Sequence, residues 1–526
     1  MSKQLSDLKI KGLWKNVPRY GLSLLVGQLV LGLSLAGEHD ARRLAVSTVR
    51  ADQLMTHVDT LADDAFEGRE AGQRGGRAAA KYLLQYLHRY LQPAGGSGGF
   101  AQLFGRDYQN LLGVLNGSDP KLSHEFILVG AHYDHVGYGN HTNSNGPVGY
   151  IHNGADDNAS GTAALLEVVE AVAHLDQPPK RSILFALWDG EEKGLLGSEH
   201  WVSWPTVPLR DVKLVMNMDM VGRLGNKPVE VIGTRSAAGL RHMVSQANQS
   251  ARLPIHFPWA IEDNSDHHTF FRRGIPILMV HTGLHKDYHT PRDDAHLIDS
   301  QGLHAVTRLT LDILLAVANE PVMPGYRPTS QFEKETHRQH FEAALPNPAP
   351  RLGVSWKPRT DSDHAMVEVS RVAVGSPAEQ AGITVGDRIL AINDVPLRGA
   401  ELFQAAVLEA ASPARMTLER PGRSEPIQTT VSLAGRPARI GISWRENDAE
   451  PGTITIVRVV PGSPAHRAGM RIGDRVFQVD GQSFSDGNRF QAMMQSHELP
   501  IDFGIERQGI VFSVSMSVTG SAEIGE

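Results

Sequence analysis

Between about Ala51 and Glu320, short runs of consecutive apolar residues alternate with longer stretches in which apolar positions recur every three or four residues. Glu125 to Val129 (EFILV), Ser182 to Trp188 (SILFALW) and Ile275 to Val280 (IPILMV) are runs of the first kind. Their length and uniform apolarity fit strands covered on both faces. Ala163 to Leu175 is helical by spacing. Alternation of this sort predicts an α/β domain, a mixed sheet sandwiched by helices. Leu214 to Met220 (LVMNMDM) alternates, so a strand there sends its methionines to one face and Asn217 and Asp219 to the other.

The pattern breaks at Pro321, Pro324 and Pro328, and prolines return at 346, 348 and 350 around the charged segment 333–342, which is helix-like. Residues 321–350 therefore read as a linker. Beyond it the chain repeats itself. RLGVSW at Arg351 returns as RIGISW at Arg439, and GSPA, AG and GDR from Gly375 to Arg388 return from Gly462 to Arg475. The offset is too long for a solenoid unit and suits a duplicated small domain, residues 351–435 and 436–520.

Length, charge and cysteine usage narrow the chemistry. A chain of 526 residues exceeds one ordinary core. A formal net charge of −7 offers no basic surface for nucleic acid. Cysteine is absent, so disulfides, thiolate nucleophiles and sulfur-ligated metals are excluded. Any metal is held by His, Asp and Glu. Residues 1–36 read as an address: five Lys and Arg residues precede an apolar run from Tyr20 to Ala36, as in a signal peptide. The run approaches the length that spans a bilayer, so an uncleaved membrane anchor at 20–36 is the alternative. Either way the expected location is exported, periplasmic or extracellular.

The chemistry-bearing residues share one placement, at or just beyond the ends of apolar runs. His132 and Asp134 follow the first run, Glu191 and Glu192 the second, Asp219 ends the alternating run, and His289 follows Val280. Asp156 and Asp157, in GADDNASG, precede the helical stretch. By itself that octapeptide reads as a capped helix start, since acids suit a helix N-terminus. In open α/β sheets, however, ligands bind outside the carboxyl ends of the strands. Carboxylates gathered there repel one another unless protonated or bound to cations, and an oxygen and imidazole set without sulfur suits zinc. Asp134, two residues after His132, is placed to accept the other ring N–H.

GAHYD, GADDNASG, WDGEE, MNMDM, SDHHTFF and YHTPRD, in this order and spacing over about Leu54 to Ala318, resemble the co-catalytic dizinc aminopeptidase family. Its relatives include bacterial leucyl aminopeptidases, glutamate carboxypeptidase, glutaminyl cyclase and the transferrin receptor. The resemblance implies a catalytic domain at 37–320 with two zinc ions. One is held by His132, Asp156 and Asp219, and the other by Glu192 and His289, with Asp156 bridging. Asp157 then mainly shapes the backbone, and Asn158 or Ser160 caps the helix behind it. Glu191 is the general base, and Tyr288 resembles a tyrosine that donates to the tetrahedral oxyanion. His267 and His268 are adjacent on a helix and point in different directions, so at most one faces the metals. His135, His141 and His152 fall in or near a polar loop, 137–153, and read as solvated. The short 100–123 segment has no room for the protease-associated domain that many exported relatives insert.

Each repeat resembles a bacterial PDZ domain, with 352–355 and 440–443 as the carboxylate-binding loops and helices at 400–411 and 487–497 lining the grooves. Such a groove adds an extended peptide as a strand. The leading expectation is an exported metallo-aminopeptidase acting on peptides with free N-termini, its PDZ pair recruiting protein or peptide. The competing readings are a catalytically idle scaffold whose PDZ pair binds protein C-termini, a carboxypeptidase, and a one-zinc enzyme like glutaminyl cyclase.

Overall fold

The computed structural model describes residues 46–357, 367–397, 399–437, 439–517 and 524–525. The expected signal segment, 1–36, lies outside the described residues. Nine strands form the first sheet: β1 (Gln92–Pro93), β2 (Ala101–Phe104), β3 (Tyr108–Leu115), β4 (Phe126–His132), β5 (Ser182–Trp188), β6 (Val212–Met218), β7 (Val229–Ile232), β8 (Ile255–His256) and β9 (Ile277–His281). Their order is β1-β3-β5-β4-β6-β9-β7-β8, with β2 on β3. The four central strands, β5, β4, β6 and β9, are mutually parallel, while β3 and β7 join antiparallel. The mixed sheet is the one the apolar pattern predicts.

Period two decides what each strand faces. Ile127, Val129 and Ala131 of β4 enter the large core made with helices 51–61, 74–90, 161–173 and 300–319. Leu128 points to the opposite core with Trp188, Trp201 and Phe270. Met216 and Met218 of β6 lie in the first core, and Asn217 turns to the other side, where its amide donates to Ser265 Oγ at 2.9 Å. Because the chain leaves β4 for β5 on one side and then returns to β6 on the other, the strand order reverses at β4. A crevice opens at that reversal, at the strand's carboxyl end, and His132 sits there.

The two repeats build separate antiparallel sheets, five strands in path order from 354–357 to 427–431, and six from 442–445 to 524–525. The two repeats carry matching contacts. Trp356 meets Phe403 edge-on at 5.2 Å, and Trp444 meets Phe490 at 5.0 Å. Arg420 grips Asp387 at 2.7 Å, and Arg507 grips Asp474 at 2.7 Å.

The 321–350 segment, expected as a linker with a short helix, has that helix at Glu335–Glu342 and is pinned along its length. Glu333 accepts from Arg235 and Arg327, and Glu342 from Arg475 and Arg338. The second repeat is bolted to the first sheet's edge. Ile255 N donates to Gln508 O at 2.7 Å, Gly239 N to Ala449 O at 2.8 Å, and Arg241 forks onto Glu506 at 2.9 and 3.1 Å.

Candidate metal centre

His132 ends β4, Asp219 follows β6, Glu191 and Glu192 follow β5, and His289 lies in the loop after β9. All converge on the crevice with the 154–160 loop that precedes helix 161–173. Two groups of side chains could each hold a cation: His132, Asp157 and Asp219; and His135, Asp157, Glu192 and His289. The member common to both is Asp157. Its Oδ1 lies 3.4 Å from His132 Nε2, and its Oδ2 lies 3.0 Å from His289 Nε2.

This corrects the expectation that Asp156 bridges. Asp156 turns away from both groups and holds the loop: its Oδ1 accepts from Gly222 N at 2.7 Å and Ser160 Oγ at 3.1 Å, and its Oδ2 faces His285 Nε2 at 3.1 Å. Asp293 accepts the backbone N–H groups of both Asp156 and Asp157 at 3.0 Å, fixing which way each side chain leaves. Asn158 caps the helix behind them, accepting from Gly161 N at 2.9 Å. Gly161 cannot carry a Cβ, which would lie 2.4 Å from Met218 O.

His135 is a second correction. Its ring is buried, with Nδ1 2.7 Å from Glu192 Oε1. His152 is buried as well, bonded through Nε2 to Ser144 Oγ and through Nδ1 to Tyr150 O, whereas His141 is exposed as expected. Neither His267 nor His268 joins the two groups; His268 pairs with Asp263 at 2.8 Å, and burial pushes the His267 ring down to about 4.

Asp134 supports His132 differently from the expectation. His132 Nδ1 donates to the Asp134 backbone carbonyl at 3.2 Å, while the carboxylate stands 3.8 Å away and accepts from Glu191 N at 3.1 Å. Asp134 thus ties the His132 loop to the Glu191 loop. Tyr288 stacks on His289 at 3.9 Å between ring centroids. Burial pushes its phenol up strongly, and Asp157, Glu192, Asp219 and Glu191 add to the effect, so it remains a hydrogen-bond donor.

The donor set fits two cations. Four separations define the groups: His132 Nε2 to Asp219 Oδ1 and Asp157 Oδ1, 3.3 and 3.4 Å, and His289 Nε2 to Asp157 Oδ2 and Glu192 Oε2, 3.0 and 3.2 Å. Ligand atoms about 2.0–2.1 Å from a tetrahedral zinc are about 3.3 Å apart. Electrostatics agree. Burial works against a charged His132, yet Glu191 and Asp219 hold it well above its ordinary value; burial also works against His289, yet Asp157 and Glu192 hold it up at about 10. Protons on these rings occupy the position a divalent cation takes when it displaces them. Glu191 stands beside them, its carboxyl pushed well up by burial and by Glu192, Asp266 and Asp219 against the pull of His132.

Sequence reasoning missed Arg69, which is fully buried beneath the site. Its guanidinium donates to the carbonyls of Tyr133, Leu61, Asn153 and Gly154 at 2.6–2.9 Å, tying together the loops that carry His132, His135 and Asp157. Flanked by Glu67 and Glu70, it reads as surface charge; no local pattern marks it.

Residues 110–314 match the model of Peptidase family M28, and residues 368–420 and 455–504 match that of the PDZ domain. Over these ranges the chain is similar to an M28 peptidase domain followed by two PDZ domains. A probable leucine aminopeptidase of Arthroderma otae is 27% identical over 45% of this chain and 63% of its own length. Leupeptin-inactivating enzyme 1 of Streptomyces exfoliatus is 31% identical over 40% of this chain and 44% of its own. The chain thus spans less than two thirds of these relatives. The LapA aminopeptidase of Legionella pneumophila aligns in structure over 54% of this chain and 75% of its own, at 21% identity and a TM-score of 0.45.

Proposed function

We propose that the protein is an exported, zinc-dependent aminopeptidase that removes N-terminal residues from peptides, with its PDZ pair recruiting protein or peptide. The observation that carries the proposal is the single carboxylate of Asp157 lying between two histidine-and-carboxylate groups, with Glu191 beside them. His132, Asp157 and Asp219 would hold one zinc, and Asp157, Glu192 and His289 the other. When bound, the pair supplies an acidified water and a polarised scissile carbonyl.

The chain's own residues supply the rest. Glu191 takes the proton of the attacking water and passes it to the leaving amine. Tyr288 donates to the oxyanion that forms at the carbonyl oxygen.

Recruitment is supported by an apolar groove of about 370 Å³ on the first repeat, between Val354 and Trp356 of the edge strand and Phe403 and Val407 of the helix. Val460 and Pro461 of the second repeat extend its wall. Export rests on the basic and apolar character of residues 1–36. Among the described residues no helix is long and apolar enough to cross a membrane.

The test is amino-acid release by zinc-loaded protein from free, N-acetylated and C-amidated peptides, with Glu191→Gln as control. Release from free and amidated peptides only, lost in the variant, is expected. Release blocked by amidation would mean a carboxypeptidase; release from none, with two zincs bound, would mean a scaffold.

A further inference from the structure

His135 stands beside the second group, and two roles compete for it: ligand to the cation, or support for a ligand. The distances separate them. Its Nδ1 is 2.7 Å from Glu192 Oε1, a hydrogen-bond length, whereas the four ligand pairs named above span 3.0–3.4 Å. Two atoms on one tetrahedral zinc stand about 3.3 Å apart, so 2.7 Å is short for co-ligands.

The two oxygens of Glu192 are also divided. Oε2 faces His289 Nε2 at 3.2 Å, while Oε1 faces His135. On the far side of the ring, Nε2 is buried without a partner. Were Nδ1 a metal ligand, Nε2 would have to carry an unpaired buried N–H. With the proton on Nδ1, Nε2 keeps only a lone pair, the less costly orphan.

The ring is held in place for this task. It packs edge-on to His289, with planes at 79°, and lies against Gly154, whose φ of +56° belongs to the left-handed region. A Cβ at Gly154 would lie 2.4 Å from the His135 ring. The loop therefore gives up a side chain where the imidazole needs room.

We propose that His135 is the positioning residue of Glu192: its Nδ1–H holds Oε1, so that Oε2 alone is presented to the metal. The proposal rests on the two-zinc reading of the site. A partner of this kind typically governs ten- to a hundredfold in metal affinity.

The test is zinc titration of the full chain, paired with proton NMR of the cobalt-substituted protein, in which each ligated imidazole gives a shifted N–H signal. Wild type should bind two zincs and show two such signals, from His132 and His289. His135→Ala should weaken one zinc site about ten- to a hundredfold, leave the other unchanged, and keep two signals. His135→Asn places an amide N–H where Nδ1–H was and should restore most of the affinity.

Three signals in wild type, falling to two in His135→Ala, would make His135 a ligand and overturn the proposal. Unchanged zinc affinity in His135→Ala, or no recovery in a folded His135→Asn, would overturn it as well. Failure of wild type to bind two zincs would instead defeat the two-metal reading, so the two failures are told apart.

Discussion

Asp156 and Asp157 are joined by one peptide bond, yet their carboxylates serve opposite sides of the same loop. Asp157 spans His132 and His289, while Asp156 accepts from Gly222 N and faces His285. The pair divides the labour of a metal loop: one acid faces the cations, and its neighbour fixes the backbone that aims it.

That division predicts unlike phenotypes for one chemical change. Asp157→Asn removes the charge shared by both groups and should abolish tight binding of both zincs with little loss of fold. Asp156→Asn should keep a stoichiometry of two and lower stability by about 1–3 kcal/mol, because it weakens a buried hydrogen-bond set. Zinc analysis after dialysis and urea unfolding measure the two effects.

Arg69→Met should be among the most damaging substitutions outside the ligands. It takes a donor from four buried carbonyls, of which Gly154 O keeps Ala159 N, and removes a cation near Asp157 and Asp293, for a loss on the order of 4 kcal/mol. A fall in the urea midpoint with an unchanged slope is the expected record.

Glu167 provides a pH dependence away from the metals. Burial raises its carboxyl from 4.5 to about 7, with Glu170 and Asp52 adding, against the donor N–H and the charge of Arg50. The folded chain therefore holds this proton more tightly than the unfolded chain. The associated stability is complete below pH 4.5 and is lost as pH rises through about 7. Glu167→Gln, always neutral, should match wild type in acid and melt at a higher temperature at pH 8. Melting curves from pH 4.5 to 8 check the convergence.

Docking of the second repeat depends on Glu506. Glu506→Ala leaves Arg241 buried without its partner, at a cost of about 3–5 kcal/mol. The loss should appear as faster hydrogen exchange at the Ile255 amide, which donates to Gln508 O, while Leu128 and Val129 in β4 stay protected.

The sheet was legible because its central strands are buried on both faces, which forces continuous apolar runs such as 182–188. Five residues of the crevice, His132, Glu191, Glu192, Asp219 and His289, were legible because each lies at or beyond the end of an apolar or alternating run, whereas Tyr288 came only with the family resemblance. Asp157 was not separable from Asp156 by position, since the choice between them is made by Asp293, 136 residues away from Asp157 in the chain. His135 was lost to a polar loop whose backbone folds inward, and Arg69 to acidic neighbours that suggest a surface. In each case the deciding contact is long-range and leaves no local period.

The most direct test of the account is anomalous diffraction at the zinc edge from crystals of the zinc-loaded protein. The account predicts two peaks about 3.5–4 Å apart, one on the Oδ1 side of Asp157 with His132 and Asp219, the other on its Oδ2 side with Glu192 and His289. A single peak, or a pair that flanks Asp156 instead, would contradict it.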